Sequence, residues 1–160
     1  MAKLPNKAEK LEAAKQVVDA ERYSQYLRGL ELGNIFLKDV KATLHSHNLE
    51  GKKSFSFSEE VIVNEQGSDH AVLTVNYTVK AKAGRRKITD IRAKYLVVLL
   101  TEQESPEAFF TLYGEYNLPL QLYPYLRECV HSLFSKMGLP PLVLPLRKFL
   151  VPDSKDTKKD

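Results

Sequence analysis

The sequence predicts an α+β protein: a four-stranded antiparallel sheet preceded by an N-terminal helix and followed by a short and a long helix. Three observations carry this. Apolar residues alternate with period two across residues 30–100, short turn sequences rather than helical stretches separate the alternating runs, and helix-type patterning lies only on either side of them. A chain of 160 residues is long enough to bury about two thirds of its unfolded surface in one core. Residues 1–151 are expected to form that single domain, and the charged segment 152–160 a disordered tail.

From Asn6 to Leu27 there is no Gly or Pro, and Leu4, Leu11, Ala14 and Val18 recur at helical spacing behind a plausible N-cap at Asn6. One surface helix with a narrow apolar seam is expected there. From Leu30 to Leu44 the inward parity flips at Gly33-Asn34 and again near Lys38-Asp39, which reads as a long strand with two bulges. Gly51 opens a second strand, in which Phe55, Phe57, Val61 and Val63 alternate with Ser54, Ser56, Ser58 and Glu60. The turn at residues 65–69 leads into the cleanest strand, with Ala71, Leu73, Val75, Tyr77, Val79 and Ala81 on one face and polar residues on the other. A fourth strand alternates from Asp90 and becomes apolar on both parities from Tyr95 to Leu100, so its second half is expected to be covered on both sides. Ser105-Pro106-Glu107 predicts an N-cap with proline at the first helical position, a short helix to about Tyr116, and a stop at Pro119. The long helix is expected over Leu120–Met137, with Pro124 in its first turn and Gly138 closing it.

Composition excludes several function classes. The chain is 43% hydrophobic and 28% charged, and its apolar runs fall short of the ~20 residues of a membrane span. Lys3 and Lys7 precede no apolar run of a secretory leader, and a single cysteine fits a reducing compartment, so a cytoplasmic location is expected. The net charge of +4 invites a nucleic-acid reading. Its cations, however, are scattered among acids in short clusters, Lys52-Lys53 and Arg85-Arg86-Lys87, with no stacking aromatics at Arg85, and are read as solvated hairpin ends. No phosphate-binding loop, His/Cys pair or distinctive carboxylate pair appears, so neither enzyme activity nor a cofactor is expected. His45 and His47 point the same way on an extended segment but lack a third ligand, and read as a polar loop. Cys129 lies on the apolar stripe of the long helix, as a small hydrophobe does, with His131 off that stripe. Tyr113, Tyr116, Tyr123 and Tyr125 are assigned to core or subunit interface.

The segment Leu122-Tyr123-Pro124-Tyr125-Leu126-Arg127-Glu128-Cys129-Val130 resembles the L-F-P-Y-A-R-E-C-I signature of the bacterial export chaperone family SecB. Gly114-Glu115-Tyr116-Asn117 is similar to the G-A-Y-C that precedes that signature, and Gly138 to Pro145 to the G-x-F-P-x-L-x-L-x-P that follows it. The resemblance covers roughly a quarter of the chain in specific motifs, and most of it in topology. It implies a dimer of dimers whose long helices meet, apolar surface grooves that hold unfolded polypeptides, no nucleotide and no covalent chemistry. On that basis Phe36, Phe55, Phe57, Leu142, Leu144, Leu146, Phe149 and Leu150 are the candidate peptide-binding residues. Tyr125, Val130, Phe134 and Met137 are the candidate oligomer-interface residues, and no metal site is implied.

The chain departs from the family in three ways. It has an extra helix within residues 1–27 where family members have a short acidic arm, it lacks the longer C-terminal helix, and it is positive where typical members are acidic. That acidity serves docking to the export motor ATPase SecA, so motor docking is not carried over. The expected function is ATP-independent chaperoning of unfolded clients, for export or for one dedicated client such as an antitoxin. The alternative is a non-catalytic adaptor that binds one folded partner through its N-terminal helix.

Overall fold

The structure, a computed structural model, describes residues 6–145. The predicted tail, and Leu146, Phe149 and Leu150 among the candidate peptide contacts, lie outside the described residues. The order is α1 (Lys7–Val17), α2 (Ala20–Arg28), β1 (Leu30–Leu44), β2 (Lys53–Gln66), β3 (His70–Ala83), β4 (Arg86–Thr101), α3 (Glu107–Tyr116) and α4 (Leu118–Lys136). The strands form one four-stranded antiparallel sheet in the order β1-β4-β3-β2. Strands β2, β3 and β4 follow one another as a meander, and β1 pairs with β4 at the far side. The two edges are therefore β1 and β2.

The register of β1 against β4 shifts between Leu32 and Asn34 and between Leu37 and Asp39, where the apolar parity flips in the sequence. The inner face gathers Leu73, Val75 and Tyr77 of β3 with Tyr95, Val97 and Leu99 of β4, all buried under the last two helices. Those helices contribute Phe109, Phe110, Leu118, Leu122 and Leu126. The outer face is not uniformly polar. Its Leu96 and Val98 are half-buried and Leu100 is exposed, beside exposed Phe36 and Ile62, so the second half of β4 is covered on one side only. The expectation of cover on both sides fails because none of the described elements crosses that face.

The single predicted N-terminal helix is a pair. Asn6 closes a capping box on α1, accepting from the Glu9 amide at 3.0 Å while its own amide donates to the Glu9 carboxylate at 2.8 Å. The helix stops at the β-branched pair Val17-Val18, and Val18 takes extended geometry. Asp19 then caps α2 by accepting from the Arg22 amide at 2.9 Å. The pair folds onto its own domain. Ala14 and Val18 are buried, Tyr23 and Tyr26 lie with ring centroids 5.3 and 5.2 Å from Phe109, and Lys7 meets Glu115 at 2.6 Å.

Helix boundaries at the other end also differ from expectation. Pro106 rather than Ser105 is the N-cap of α3, and Ser105 is buried with its hydroxyl turned back to the Gln103 carbonyl at 3.3 Å. Asn117 ends α3 and starts α4, so Pro119 occupies the first turn of the long helix instead of stopping the short one. Pro124 is consequently inside α4. It lacks the amide that would serve the Leu120 carbonyl, and surrounding packing by Leu118, Leu122 and Leu126 holds the turn. At the far end Gly138 takes φ 70° and a Schellman closure forms: its amide donates to Ser135 O at 3.0 Å, and Leu139 N donates to Phe134 O at 2.9 Å.

Candidate functional site

The edge strand β2 is divided by its cover. Around Val61 it is pressed by α3, where Gly114 permits the approach: a Cβ there would come within 2.8 Å of Val61 Cγ1. Residues 53–58, by contrast, are all exposed, and among the described residues β3 is the strand that pairs with them. Phe55 and Phe57 share the inward parity of this open half, opposite Ala81 and Val79, and each keeps 39% of its surface exposed. Large aromatic side chains in that state are partly seated and partly available.

The floor beside them is built by α4 and by the chain that follows it. Tyr123 places its ring 6.1 Å from Phe57, and its hydroxyl donates to the Pro145 carbonyl at 2.6 Å. Leu139 and Leu144 are buried, Leu142 is half-buried against the core, and Val143 is exposed. The segment after Gly138 thus runs along the inner face next to Phe57, as expected from its apolar composition. Leu144 belongs to the core rather than to an open surface. Phe55, Phe57 and Val143 together present half-exposed to exposed apolar surface beside this floor, of the kind on which an apolar polypeptide segment can rest.

Phe36 does not join them. It is 49% exposed on β1, at the opposite edge and on the outer face, paired with Leu96. The bulge at Gly33 turns it outward. Among the residues assigned to an oligomer interface, Val130 is fully buried and Phe134 nearly so, and Met137 is half-buried with its sulfur 3.6 Å from the Thr89 hydroxyl. Val130 and Phe134 are spent in the chain's own core and are unavailable to a partner in this conformation. Tyr125 is exposed, at the mouth of a cleft of about 310 Å³ between α4 and β1 lined by Ile35, Leu37, Val40 and Leu133.

The remaining polar candidates are structural. His45 Nε2 pairs with Asp90 Oδ2 at 3.0 Å and His47 Nε2 lies 3.2 Å from the Met137 carbonyl, so the two imidazoles have separate partners. No group of three metal-ligating side chains occurs among the described residues. Burial pushes the Cys129 thiol above its usual pKa, which keeps it protonated and unreactive at neutral pH. Tyr113 is likewise raised, to about 12, by burial. The alternation of β2 was legible, but nothing in the sequence distinguished the exposed residues 53–58 from the part pressed by α3 at Val61.

No described helix is long and apolar enough to cross a membrane. No protein-family model matches the sequence, and no characterised protein matches it at sequence level. Solved structures do match. A SecB-like chaperone of Mycobacterium tuberculosis, Rv1957, solved in complex with a ChAD peptide from the HigA1 antitoxin, superposes with a TM-score of 0.69 at 19% identity, covering 80% of this chain and 98% of that one. A protein of unknown function from Streptococcus agalactiae gives a TM-score of 0.43 at 10% identity over 73% of this chain and 97% of that one. The chain therefore has the fold of a SecB-like chaperone.

Proposed function

We propose that this protein is a chaperone that holds unfolded or partly folded polypeptide segments against the half-exposed Phe55 and Phe57 of β2, without nucleotide and without covalent chemistry. The observation that carries the proposal is the pair Phe55 and Phe57, each keeping 39% of its surface exposed, with the Tyr123 ring beside Phe57. The two rings hold apolar side chains of a client through burial that depends on hydrophobicity rather than on an exact client sequence. The shared fold with a chaperone solved with an antitoxin peptide favours one dedicated client over general export. The positive net charge supports the same preference, because docking to the export motor uses acidic surface in the family that the sequence resembles.

In this reading the protein acts in the cytoplasm and assembles as a dimer of dimers, with Tyr125 and the cleft between α4 and β1 as the available contact surface. The adaptor alternative is weakened, since the apolar seam of the N-terminal helices is already used against α3. The test is suppression of aggregation of a reduced, denatured substrate at stoichiometric ratio in the absence of ATP, with molar mass measured in parallel. Suppression that disappears in the Phe55→Ser/Phe57→Ser variant is expected. Failure of the wild-type chain to suppress aggregation of any substrate, its cognate client included, would overturn the proposal.

A further inference from the structure

Between Arg92 and Leu100 of β4, where none of the described elements crosses the outer face of the sheet, that face is divided into an apolar and a basic half. Cross-strand pairing sets Phe36 beside Leu96, Leu96 beside Thr74 and Thr74 beside Ile62, so one row runs from edge to edge with Phe36 and Ile62 exposed at its ends. Half-buried Val72 and Val98 pair in the next row, and exposed Leu100 follows. In the other direction Arg92 lies four residues from Leu96, about 14 Å at the usual rise per residue. Arg92 pairs with Thr78 and Thr78 with Ser58, while Lys80 pairs with Ser56 in the adjoining row. These five side chains belong to the lining of one open hollow of about 430 Å³. Three hydroxyls, an ammonium and a guanidinium all donate hydrogen bonds, and among the described residues no acid lines the space. Asp90, the cross-strand partner of Lys80, has its carboxylate 3.0 Å from His45 Nε2, Glu60 accepts from Asn76 at 3.2 Å, and Asp39 lies opposite Lys94 at the β1 edge. Among the described residues neither Lys80 nor Arg92 is in an ion pair, and Lys41 beside Arg92 adds a further cation.

We infer that the outer face is a second docking surface, separate from Phe55 and Phe57, and that its occupant is an acidic polypeptide segment. Carboxylates of that segment enter the hollow at Lys80 and Arg92, and its apolar side chains lie on Phe36, Leu96 and Ile62. Arg92 offers a planar fork that matches a carboxylate, Lys80 a point charge on a flexible stem, and Ser56, Ser58 and Thr78 donors for the remaining oxygen lone pairs. Charge complementarity fixes the sign of the partner, since a cluster of like charges is relieved by an anion. The aliphatic row fixes its class. Phe36 is the one Phe or Tyr on this face among the described residues, too few to stack successive bases of a nucleic acid, whereas Ile62, Leu96 and Val98 suit apolar side chains.

Fluorescent peptides that place two leucines four residues from a pair of glutamates or a pair of glutamines test this by anisotropy with the full chain. The glutamate peptide is expected to bind about tenfold tighter than the glutamine peptide at low salt, with the gap closing at about 0.5 M salt as the charges are screened. Lys80→Glu/Arg92→Glu should lose that gap with an unchanged unfolding midpoint, and so should the milder Lys80→Gln/Arg92→Gln. Phe36→Ser/Ile62→Ser should weaken the glutamate peptide about tenfold. Phe55→Ser/Phe57→Ser should leave the gap intact, and suppression of aggregation should survive Lys80→Glu/Arg92→Glu. Equal binding of the two peptides, binding of neither, or a gap that persists in both Lys80/Arg92 variants overturns the inference and leaves the chaperone proposal standing. A gap lost in Phe55→Ser/Phe57→Ser, or suppression lost in Lys80→Glu/Arg92→Glu, merges the two surfaces and overturns it as well. An oligothymidylate that displaces the glutamate peptide at equal concentration overturns the assignment to a polypeptide. Self-association abolished by Phe36→Ser/Ile62→Ser gives the apolar row to a second copy of the chain and overturns the stated occupant.

Discussion

Tyr123 of α4 joins β2 to the segment that follows the long helix: its ring lies 6.1 Å from Phe57 at an interplanar angle of 49°, and its hydroxyl donates to the Pro145 carbonyl at 2.6 Å. Removing the hydroxyl in Tyr123→Phe should cost about 1 kcal/mol in urea unfolding, the net worth of one such hydrogen bond. Phe57→Ser gives up the ring contact with Tyr123 and should cost about 1–2 kcal/mol of stability, while weakening an apolar peptide by about tenfold or more, as loss of a central aromatic anchor does. If the Phe57 variant bound as tightly as the parent, Phe57 would not contact the client.

At Gly114 two opposing terms can be separated. Alanine gains about 1 kcal/mol of helix propensity over glycine, whereas forcing a Cβ to 2.8 Å from Val61 Cγ1 costs about 1–3 kcal/mol of overpacking. Gly114→Ala should therefore destabilise the chain on its own. In a Val61→Ala background the 2.8 Å contact is removed and the nearest atom becomes the Cβ of residue 61 at 3.3 Å, so the same change should cost less, a coupling that a double-mutant cycle measures directly.

The helix break at Asp19 is a capping effect and should respond as one. Asp19→Ala removes the acceptor of the Arg22 amide and is expected to lower stability by about 1 kcal/mol. Hydrogen exchange should quicken first at the opening amides of α2, with the sheet amides unaffected. Uniform acceleration across the sheet would place the role of Asp19 elsewhere.

His70 supplies a pH dependence of known sign. Its Nδ1 lies 2.8 Å from Asp69 and its Nε2 3.2 Å from Glu65, and these hydrogen bonds, Asp69 first, raise its pKa above the usual 6.5. A raised folded-state pKa contributes stability that is complete below the unfolded value and disappears as pH rises through the folded one. The loss of melting temperature in His70→Gln should thus be larger at pH 5.5 than at pH 8.5. The opposite trend would mean that the carboxylates do not hold the imidazolium.

Much of the architecture was legible because period-two and period-3.6 patterning reports which side chains must leave water, and that constraint is local. The four strands, the two bulges of β1, the N-cap at Asn6 and the glycine closure of α4 all follow from short stretches. Boundaries that depend on competing caps were less legible. Asp19 and Asn117 each start a helix within a run that reads as continuous or as broken elsewhere, since propensity differences of a few tenths of a kcal/mol are overridden by packing.

The sequence alone determined the composition of the inner face, the presence of an apolar helix ending at Gly138, and the short motifs around Leu122 to Val130 that resemble SecB. Only the tertiary structure decided which apolar residues stay available. Phe55 and Phe57 alternate like Val61 and Val63, but α3 presses on Val61 at Gly114, whereas Phe55 and Phe57 remain exposed. Phe36 was separated from them by strand order, Val130 and Phe134 were withdrawn into the core, and Lys52-Lys53 was brought beside Arg85-Arg86-Lys87. The physical reason is common to all three: exposure and charge density are properties of what lies across from a residue, and pairing partners far apart in the chain leave no mark on the local pattern.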